Sequence, residues 1–415
     1  MKICLLGTAH PSFNPRLVRE ADSLAEAGHD VRVIASNHLS WAGARDQALL
    51  QHRRWRVQTV DFRPNGANKL RAAVGRGRLR VASAVYQRLK SPALIPFAYG
   101  LAGPELLRIA KNESADWFVA HAHAALPAAA AAAAHWNARL GFDCEDLLAH
   151  APGEPRELLH EIEASYLPRC DYVSTASPLM AEQLALDHRI PTPLVLYNVF
   201  PLKLAEGMLP PRDRTRNAAV RLHWFGQTIG PGRGLEDAVA ALAQLPGAFE
   251  LHLRGTPFAA YRERLEELAG SERHRLFFLP PLEHDELIRS MEAFDVGLAL
   301  ERPENANYSR TVTNKLFSYL LAGLAVAASA TPGQTQVMSQ VHKAGFLYPA
   351  GDLAALTSGL LRWLQDRQAL RAAQQAAWNA ARARFCWDLE CEKFLTIFGA
   401  ATSETRLPVA RSVAR

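Results

Sequence analysis

Residues Arg310–Gly333, RTVTNKLFSYLLAGLAVAASATPG, predict a loop, a helix, a glycine stop and a buried strand in succession. Thr313 is the expected N-cap, because its hydroxyl can accept a hydrogen bond from the first free backbone N–H groups of a helix. Apolar residues then recur at helical spacing, and Gly323 suits the left-handed conformation that closes a helix. The apolar run at 324–328 is typical of a parallel strand buried on both faces. Two interpretations remain open: the segment is an ordinary αβ unit, or the helix directs its positive end, together with Lys315, at an anionic ligand.

The size and composition of the chain fit a soluble protein of two domains. Its 415 residues are enough for two hydrophobic cores, and 49% hydrophobic with 21% charged residues is an ordinary globular balance. The five cysteines form no CxxC pair and are odd in number, which favours a reducing compartment and argues against a disulfide framework or a zinc site. No weakly polar run reaches the roughly 18 residues of a membrane span. We therefore expect a cytoplasmic protein, either soluble or peripheral at the inner face of the membrane.

Positive charge is concentrated between residues 52 and 90, where eleven Arg or Lys residues accompany one acid, Asp61. Apolar residues at helical spacing lie among these cations: Leu70, Val74, Val81, Val85 and Leu89. Two interpretations remain open. The apolar residues either face the core while the arginines are solvated, or the whole segment lies on an anionic membrane surface. Nucleic-acid binding is disfavoured, because the arginines lack the interleaved aromatic residues of a stacking platform.

The chain opens with the pattern of a doubly wound α/β fold. Lys2–Gly7 predicts a strand, Pro15 opens a helix at its favoured first position, and Val31–Ala35 predicts a second strand. Without a GxGxxG motif, a nicotinamide cofactor has no support. A second pattern of this kind starts with the predicted strand Val220–Phe225 and leads into the glycine-rich loop GPGRG at 230–234. Glycines let backbone N–H groups approach phosphate oxygens closely.

The C-terminal part of the chain predicts helices. Residues Asp352–Arg384 have a helical pattern throughout, and Trp387–Phe398 predicts one further amphipathic helix. The tail that follows is polar and basic and has little to bury, so we expect it to be flexible.

Five segments in the chain resemble motifs of the family 4 retaining glycosyltransferases, which have the GT-B fold. In order they read ADWFVAHAHAALP, FDCEDLL, CDYVSTASPLMAEQL, LVLYNVFP and NKLFSYLLAGLAVAAS. The resemblance implies an α/β fold of the GT-B type, with two Rossmann-like doubly wound domains facing each other across a cleft. It assigns residues 1–200 to the N-terminal, acceptor-side domain and 201–385 to the C-terminal, nucleotide-sugar side. Residues 386–401 would form a helix that crosses back to the first domain, and 402–415 a flexible tail.

The resemblance also implies roles for individual residues. Catalytic roles fall on His123 and on Arg233 and Lys315, the last two forming a diphosphate clamp. Donor-binding roles fall on Gly226, Gln227, Gly232, Gly234, Arg254, Gly255, Thr313, Asn314, Leu316 and Ser318. The acceptor or sugar side would include Gly7, His10, Phe13, Asp143 and Asp146. Alternatives stay open for three of these residues. His123 could instead be a satisfied structural residue, with His121 as the rival candidate for the sugar contact. Asp143 and Asp146 could instead be solvated acids at strand ends.

The function implied by the resemblance is that of a hexosyltransferase-type enzyme. It would move a sugar with retention from a UDP- or GDP-linked donor to a glycan or lipid-linked acceptor, in cell-surface polysaccharide or glycolipid synthesis. Neither a cofactor nor a metal is expected, because cationic side chains would replace the ion at the diphosphate. The chain departs from the family pattern at Ser318 and Arg310, where glutamates are usual, and at Gln227, where arginine is frequent. The alternative function is therefore a catalytically weakened GT-B protein that serves as a nucleotide-binding or scaffolding subunit.

Overall fold

The computed structural model describes residues 1–66, 68–214 and 218–399. The predicted tail at 402–415 and the predicted end of the last helix at 400–401 lie outside the described residues. Within the described ranges no helix is both long enough and apolar enough to span a bilayer.

The described residues contain thirteen strands and seventeen α-helices. The strands are β1 (Lys2–Gly7), β2 (Asp30–Asn37), β3 (Arg56–Asp61), β4 (Trp117–His121), β5 (Arg139–Cys144), β6 (Tyr172–Thr175), β7 (Leu194–Val195), β8 (Val220–Ile229), β9 (Phe249–Pro257), β10 (Leu276–Leu279), β11 (Val296–Ala299), β12 (Ala325–Ser329) and β13 (Gly345–Tyr348). The first helices are α1 (Pro15–Glu26), α2 (Gly43–Leu50), α3 (Asn68–Leu89), α4 (Ile95–Ala98), α5 (Gly103–Ala110), α6 (Leu126–Trp136), α7 (Arg156–Tyr166) and α8 (Pro178–His188). The remaining helices are α9 (Leu235–Gln244), α10 (Ala259–Ala269), α11 (His284–Ser290), α12 (Ala306–Arg310), α13 (Asn314–Ala322), α14 (Pro332–Met338), α15 (Leu353–Gln365), α16 (Arg367–Ala383) and α17 (Trp387–Gly399).

The strands form two sheets, ordered β3-β2-β1-β4-β5-β6-β7 and β10-β9-β8-β11-β12-β13. Every strand pair with a described register is parallel. In both sheets the first strand in the chain lies inside the sheet, and the chain later crosses to its other side. The strand order therefore reverses between β1 and β4, and again between β8 and β11. The predicted α/β class with two Rossmann-like doubly wound sheets is confirmed.

By internal contacts the described chain forms two compact units. The first comprises Met1–Phe142, Cys170–Tyr172 and the chain from Glu390, and the second comprises Asp143–Arg169 and Val173–Leu389. Within the first unit the end of α17 packs on aromatic residues: the ring centroid of Phe398 lies 5.2 Å from that of Trp117 and 6.1 Å from that of Tyr172. The boundary predicted at residue 200 stays a prediction.

Helix α3 packs through three small residues and one tyrosine, and it exposes four large apolar residues. The buried residues are Ala72, Gly75, Ala82 and Tyr86, whereas Leu70, Val74, Val81 and Leu89 are exposed by 59–73%. Gly75 explains this orientation, since a Cβ there would lie 2.9 Å from Leu101 Cδ1 and 3.0 Å from the ring of Phe62. The interpretation in which the apolar residues face the core is therefore wrong for Leu70, Val74, Val81 and Leu89, whereas Val85 is half-buried. The close approach at Gly75 turns the other face of the helix inward.

The predicted continuous helix over Asp352–Arg384 is also wrong, because α15 ends at Gln365 and α16 begins at Arg367. Asp366 lies between them with non-helical backbone angles, and its carboxylate accepts from the N–H groups of Gln368 (3.0 Å) and Ala369 (2.9 Å). This is an N-cap, and it starts a new helix inside an uninterrupted helical pattern.

Candidate functional site

The second sheet places several loops at the carboxyl ends of its strands. In doubly wound sheets ligands bind at this edge, at the point where the strand order reverses. Here that point lies between β8 and β11. The glycine-rich loop 230–234 follows β8, residues 300–305 follow β11, and α13 begins shortly afterwards.

Helix α13 is held against the sheet by an aromatic ring over a glycine. A Cβ on Gly297 of β11 would overlap the ring of Tyr319, so the absence of that side chain lets the helix lie close to the strand. The hydroxyl of Tyr319 donates to the carbonyl oxygen of Leu298 at 3.1 Å. The predicted ends of the helix are confirmed: Thr313 is the N-cap, accepting from the N–H of Lys315 at 3.4 Å, and Gly323 closes the helix with φ +69°.

The Lys315 ammonium lies at the reversal of strand order. Its Nζ is 2.8 Å from Oε1 of Glu301 and 3.4 Å from Oγ1 of Thr313, and it stands 5.4 Å from the ring centroid of Trp224. Trp224 belongs to β8 and Glu301 follows β11, so the two strands next to the reversal both contribute to its environment. The lysine side chain is 9% exposed. Its charge is therefore held in one place before any ligand arrives.

Glu301 is the residue of this site that sequence reasoning missed. One of its carboxylate oxygens binds Lys315, and the other is buried without a hydrogen-bond partner among the described residues. The signal available in the sequence was an acid two residues beyond a buried strand, in GLALERPEN. Because Glu301 and Lys315 are fourteen positions apart, nothing in the sequence pairs them.

The glycine-rich loop has two residues that require glycine. Gly232 has φ +74° and Gly234 has φ +68°, in the left-handed region, and a Cβ on Gly234 would overlap the carbonyl oxygen of Leu300. Gly234 is also the N-cap of α9. Arg233 between them is exposed and makes no hydrogen bond or ion pair with any described residue. The loop therefore presents backbone N–H groups and one unengaged guanidinium.

Four predicted donor-binding residues lie within strands rather than after them. β8 continues to Ile229 and β9 to Pro257, past the ends expected from the sequence, because a register irregularity between Phe225 and Thr228 lets pairing resume. Gly226, Gln227, Arg254 and Gly255 lie at this irregularity. A Cβ on Gly255 would stand 2.5 Å from the carbonyl oxygen of Gly226, so the two glycines permit the close approach of the strands.

Of these four, Arg254 is bound to the backbone and Gln227 is exposed. Arg254 is buried, its Nη1 donates to the carbonyl oxygen of Pro280 at 2.8 Å, and burial lowers the pKa of its guanidinium. This arginine ties β9 to the segment after β10, whereas Gln227 has its side chain in solvent.

The remaining predicted residues of α13 divide by exposure. Asn314 is exposed in the first turn, whereas Leu316 and Ser318 are fully buried. The Ser318 hydroxyl donates to the carbonyl oxygen of Asn314 at 3.0 Å, which leaves it only lone pairs for a ligand. Ser318 thus belongs to the packed side of the helix, and Asn314 to its open end.

Strand β8 also contains a buried neutral histidine that the sequence did not indicate. His223 precedes Trp224 on β8, is fully buried, and stacks on Phe294 with centroids 4.1 Å apart and planes 2° from parallel. Burial, reinforced by the charges of Arg254 and of His252, lowers the pKa of His223 to about 3. The His223 side chain is therefore uncharged at neutral pH.

Within the second unit, the predicted acids Asp143 and Asp146 are hydrogen-bonded. Asp143 is buried and its carboxylate accepts from Ser174 Oγ at 2.7 Å, so the interpretation of this residue as a solvated acid is wrong. Asp146 accepts from Asn307 Nδ2 at 3.2 Å, while Asn307 Oδ1 accepts from the N–H of Leu147 at 2.9 Å. Asn307 belongs to α12, the short helix that precedes the N-cap Thr313 of α13. The sequence analysis did not identify it as a candidate.

In the first unit, the loop after β1 has a fully engaged histidine. His10 Nδ1 lies 2.6 Å from Oδ2 of Asp46, and its Nε2 accepts from the backbone N–H groups of His38 and Leu39, both at 2.9 Å. No ring nitrogen of His10 is left for a ligand. Phe13 lies edge-on to it at 5.6 Å, and Gly7 ends β1 beside α1. His10 and Phe13 thus hold the loop in shape.

His121 and His123 lie at the end of β4, on either side of a strained residue. Ala122 has φ +70°, which is disfavoured for a residue with a side chain. His123 is buried with its ring edge-to-face to Phe142 at 5.3 Å, and His121 Nε2 lies 3.2 Å from Oε2 of Glu20. Backbone strain of this kind concentrates at functional sites, so it favours the end of β4 as a candidate functional region.

Comparison with known proteins found likenesses among solved structures. Neither a family model nor a curated protein matches the sequence. HepE from Anabaena, solved with UDP, has a TM-score of 0.69 and 16% identity over 96% of this chain and 100% of its own. A glycosyltransferase from Rickettsia africae has a TM-score of 0.70 and 14% identity, covering 97% and 99%. Sucrose-phosphate synthase from Thermosynechococcus elongatus has a TM-score of 0.67 and 16% identity, covering 97% and 100%. These likenesses show that the chain has the fold of the GT-B glycosyltransferases.

Proposed function

We propose that the protein is a glycosyltransferase that takes its sugar from a nucleotide-diphosphate sugar. The observation that carries the proposal is the Lys315 ammonium, fixed at the head of α13 and at the reversal of strand order by Glu301 and Trp224. Breaking the bond between a sugar and a diphosphate develops negative charge on the leaving phosphate. A cation that is already in place stabilises this charge without reorganisation during the reaction.

The glycine-rich loop supplies the second half of this diphosphate site. Its backbone N–H groups can approach phosphate oxygens, and Arg233 is unengaged and exposed, so it can close on a bound diphosphate. Lys315 and Arg233 together supply positive charge where a metal ion acts in other phosphate sites. We therefore propose a transfer that needs neither metal nor cofactor. His123 stays the candidate sugar contact that the family resemblance implies.

The proposed reaction retains the configuration of the sugar. The carboxylate beside Lys315, that of Glu301, is engaged by the ammonium and is a poor candidate for a nucleophile. Same-face attack, with the leaving phosphate taking the acceptor proton, makes no demand for a second carboxylate. A UDP- or GDP-linked hexose is the proposed donor, and the fact that HepE has been solved with UDP and with UDP-glucose favours testing uridine nucleotides first.

A second candidate function is a nucleotide-binding or scaffolding subunit without efficient turnover. It is favoured by Ser318, which stands where the family has a glutamate and which is buried with its hydroxyl bonded to Asn314. Such a protein would keep the Lys315 and Arg233 environments and bind a nucleoside diphosphate.

The two functions are separated by measuring binding and turnover on the same samples. A thermal-shift screen of UDP, GDP, ADP and their sugars tests binding, because a ligand at a hundred times its Kd adds about 2.7 kcal/mol to stability. Release of nucleoside diphosphate from the bound donor, with water as acceptor, tests turnover without knowledge of the acceptor. Binding with release supports the transferase, and binding without release supports the subunit. A folded protein that binds none of these ligands contradicts both.

We further propose that α3 holds the enzyme at an anionic membrane, beside a lipid-linked glycan acceptor in cell-surface polysaccharide or glycolipid synthesis. The helix exposes Leu70, Val74, Val81 and Leu89, an apolar stripe that no described residue covers. Four exposed cations make no ion pair with any described residue: Lys69, Arg76, Arg80 and Arg88. An exposed apolar stripe beside cations is typical of a helix that lies in the interface of an anionic bilayer.

One arginine of this helix has an internal role and is excluded from the membrane surface. Arg78 makes two 2.7 Å bonds to the carboxylate of Glu105 and donates to the carbonyl oxygen of Leu101 at 2.8 Å. It joins α3 to α5 and to the segment just before α5 within the first unit. A test of membrane binding should therefore leave Arg78 intact.

Co-sedimentation with vesicles containing anionic lipid tests the membrane proposal. Replacing Arg76, Arg80 and Arg88 by Gln removes three surface charges at about 1 kcal/mol each, so partitioning should fall on the order of 100-fold. Binding of the unaltered protein should also weaken as salt shortens the Debye length from about 10 Å at 0.1 M. The control replaces the exposed Lys111, Lys203 and Lys343 by Gln, which removes the same charge elsewhere. A protein that stays in the supernatant at low salt, or a control that loses binding equally, contradicts the proposal.

A further inference from the structure

Three side chains with metal-binding atoms converge where α7 meets the end of α8. His160 and Glu163 lie one helical turn apart on α7, and His188 is the last residue of α8. His160 Nδ1 lies 3.7 Å from Oε2 of Glu163, and His188 Nε2 lies 2.9 Å from the same oxygen. One ligand atom from each residue lies within 4.8 Å of the other two. We propose that these residues bind a divalent transition metal of the zinc type.

The distances between the ligand atoms suit a tetrahedral metal ion. Zinc binds imidazole nitrogen and carboxylate oxygen at about 2.0–2.2 Å, which places neighbouring tetrahedral ligands about 3.3 Å apart. The separations of 2.9 Å and 3.7 Å stand on either side of this spacing.

Burial and access also fit this assignment. The side chains of Glu163 and His188 are 1% and 4% exposed, whereas that of His160 is 32% exposed. Two ligands are therefore fixed by the protein, and the third lies where an ion would enter. An open pocket of about 430 Å³ adjoins them and is lined in part by His160, His188 and Asp187. With three protein ligands, the fourth position would face this pocket and hold water.

The surroundings of the three ligands are ordered by further hydrogen bonds. Asp187 accepts from Gln183 Nε2 at 2.7 Å through one oxygen and lies 2.9 Å from His150 Nε2 through the other. The ring of His150 stands 5.6 Å from that of His160 at nearly a right angle. Asp187 and His150 thus fix the wall beside His160, in the way that residues around a metal site orient its ligands.

The donor set selects among cations. Two imidazoles and one carboxylate suit zinc and its neighbours, whereas magnesium and calcium prefer oxygen ligands alone. The absence of CxxC pairs argues only against zinc sites with cysteine ligands, and the proposed site contains no cysteine. By joining α7 to the end of α8, the metal would stabilise the second unit, whether or not the protein transfers sugars.

Calorimetric titration of chelator-treated, full-length protein with zinc chloride tests the site. We expect one bound ion per chain, a rise in melting temperature, and the visible absorption of a tetrahedral complex when cobalt replaces zinc. Magnesium chloride should produce none of these. His160→Ala should weaken zinc binding by at least about 100-fold, since loss of an orienting residue alone costs 10- to 100-fold.

The variants are chosen so that misfolding cannot imitate the result. His160 is the most exposed ligand, so its replacement should leave the metal-free protein with an unchanged melting temperature; Glu163→Gln keeps the shape of the buried side chain. His342→Ala is the control, because it removes an exposed histidine of the same unit that makes no described contact. Absence of zinc binding by the unaltered protein overturns the proposal. So does zinc binding that His160→Ala leaves unchanged, or that His342→Ala weakens equally.

Discussion

The two cations of the proposed diphosphate site, Lys315 and Arg233, have opposite environments. Lys315 is nearly buried and held by Glu301, Thr313 and the ring of Trp224, whereas Arg233 is exposed between two glycines with left-handed backbone angles. In the family resemblance they form one clamp with one role. In the structure one charge is fixed before binding and the other is free to move. The difference suggests that Lys315 provides preorganised stabilisation, and that Arg233 contributes when it closes on the ligand.

The largest expected effect is that of Lys315→Ala on turnover. Loss of one preorganised cation should reduce turnover by about 100-fold or more. The variant should remain folded but lose about 1–3 kcal/mol of unfolding free energy, because Glu301 is left with both oxygens unpaired. Steady-state kinetics and denaturant titration measure the two effects.

The double variant Lys315→Ala with Glu301→Gln separates these two effects. Removing the unpaired carboxylate charge should restore most of the lost unfolding free energy but none of the turnover. A folded Lys315→Ala protein with turnover close to that of the unaltered protein would refute the assignment of this lysine.

The second prediction concerns the buried His223 of β8, the strand that also contributes Trp224 beside Lys315. Because the folded-state pKa of His223 is about 3 and an unfolded histidine has about 6.5, the unfolded state binds the extra proton between these values. The contribution of His223 to stability is therefore present above about pH 6.5 and is lost as pH falls towards 3, by about 1.4 kcal/mol per unit. His223→Phe keeps the stack on Phe294 and should remove this part of the pH dependence.

Denaturant titrations of both proteins from pH 7 to pH 4.5 measure the difference, in which the other histidines cancel. A constant difference across this range would show that His223 is not held neutral.

The third prediction concerns Arg233, the exposed cation of the proposed diphosphate site. Arg233→Ala should reduce kcat/KM by about 10-fold or more, the value of one lost hydrogen bond to a charged group. Its unfolding free energy should stay within about 0.5 kcal/mol of the unaltered value, because the side chain contacts no described residue. Arg233→Lys keeps the charge but cannot donate bidentate hydrogen bonds, so it should recover part of the lost kcat/KM. Equal stability losses in the Arg233 and Lys315 alanine variants would remove the distinction between them.

The smallest expected effect is that of Ser318→Ala. If Ser318 replaces the ribose-binding glutamate of the family, its loss should weaken nucleotide binding by about 0.5–1.5 kcal/mol, the range of a neutral hydrogen bond. Calorimetry with the nucleoside diphosphate measures this. An unchanged affinity would confine Ser318 to its bond with Asn314 inside the helix.

Sequence reasoning predicted the parts of the fold that depend on local signals. Thr313 as N-cap and Gly323 as helix stop are written in neighbouring residues, and the two doubly wound sheets follow from the succession of strands and helices. The break at Asp366 escaped prediction because it lies inside an uninterrupted helical pattern. There the N-cap formed by Asp366 starts a new helix, although the helical pattern of the sequence continues through it.

The features that were not predicted depend on approach in space. The outward face of α3 is decided by the close contact of Gly75 with Phe62 and Leu101, which lie in the connecting segments before and after the helix. Glu301 became visible as a ligand of Lys315 only once β11 and α13 were placed together. For the same reason, His188 could not be associated with His160 before α7 and α8 were in position.

Gly297 offers a way to adjust the site from a distance. The ring of Tyr319 occupies the space where a side chain at 297 would stand, so even a methyl group must push α13 away from β11. Lys315 is one helical turn from Tyr319 and would move with the helix. A displacement of about 1 Å can cost a hundredfold in rate. A side chain at residue 297 would therefore change the position of the Lys315 ammonium without altering any residue of the proposed diphosphate site.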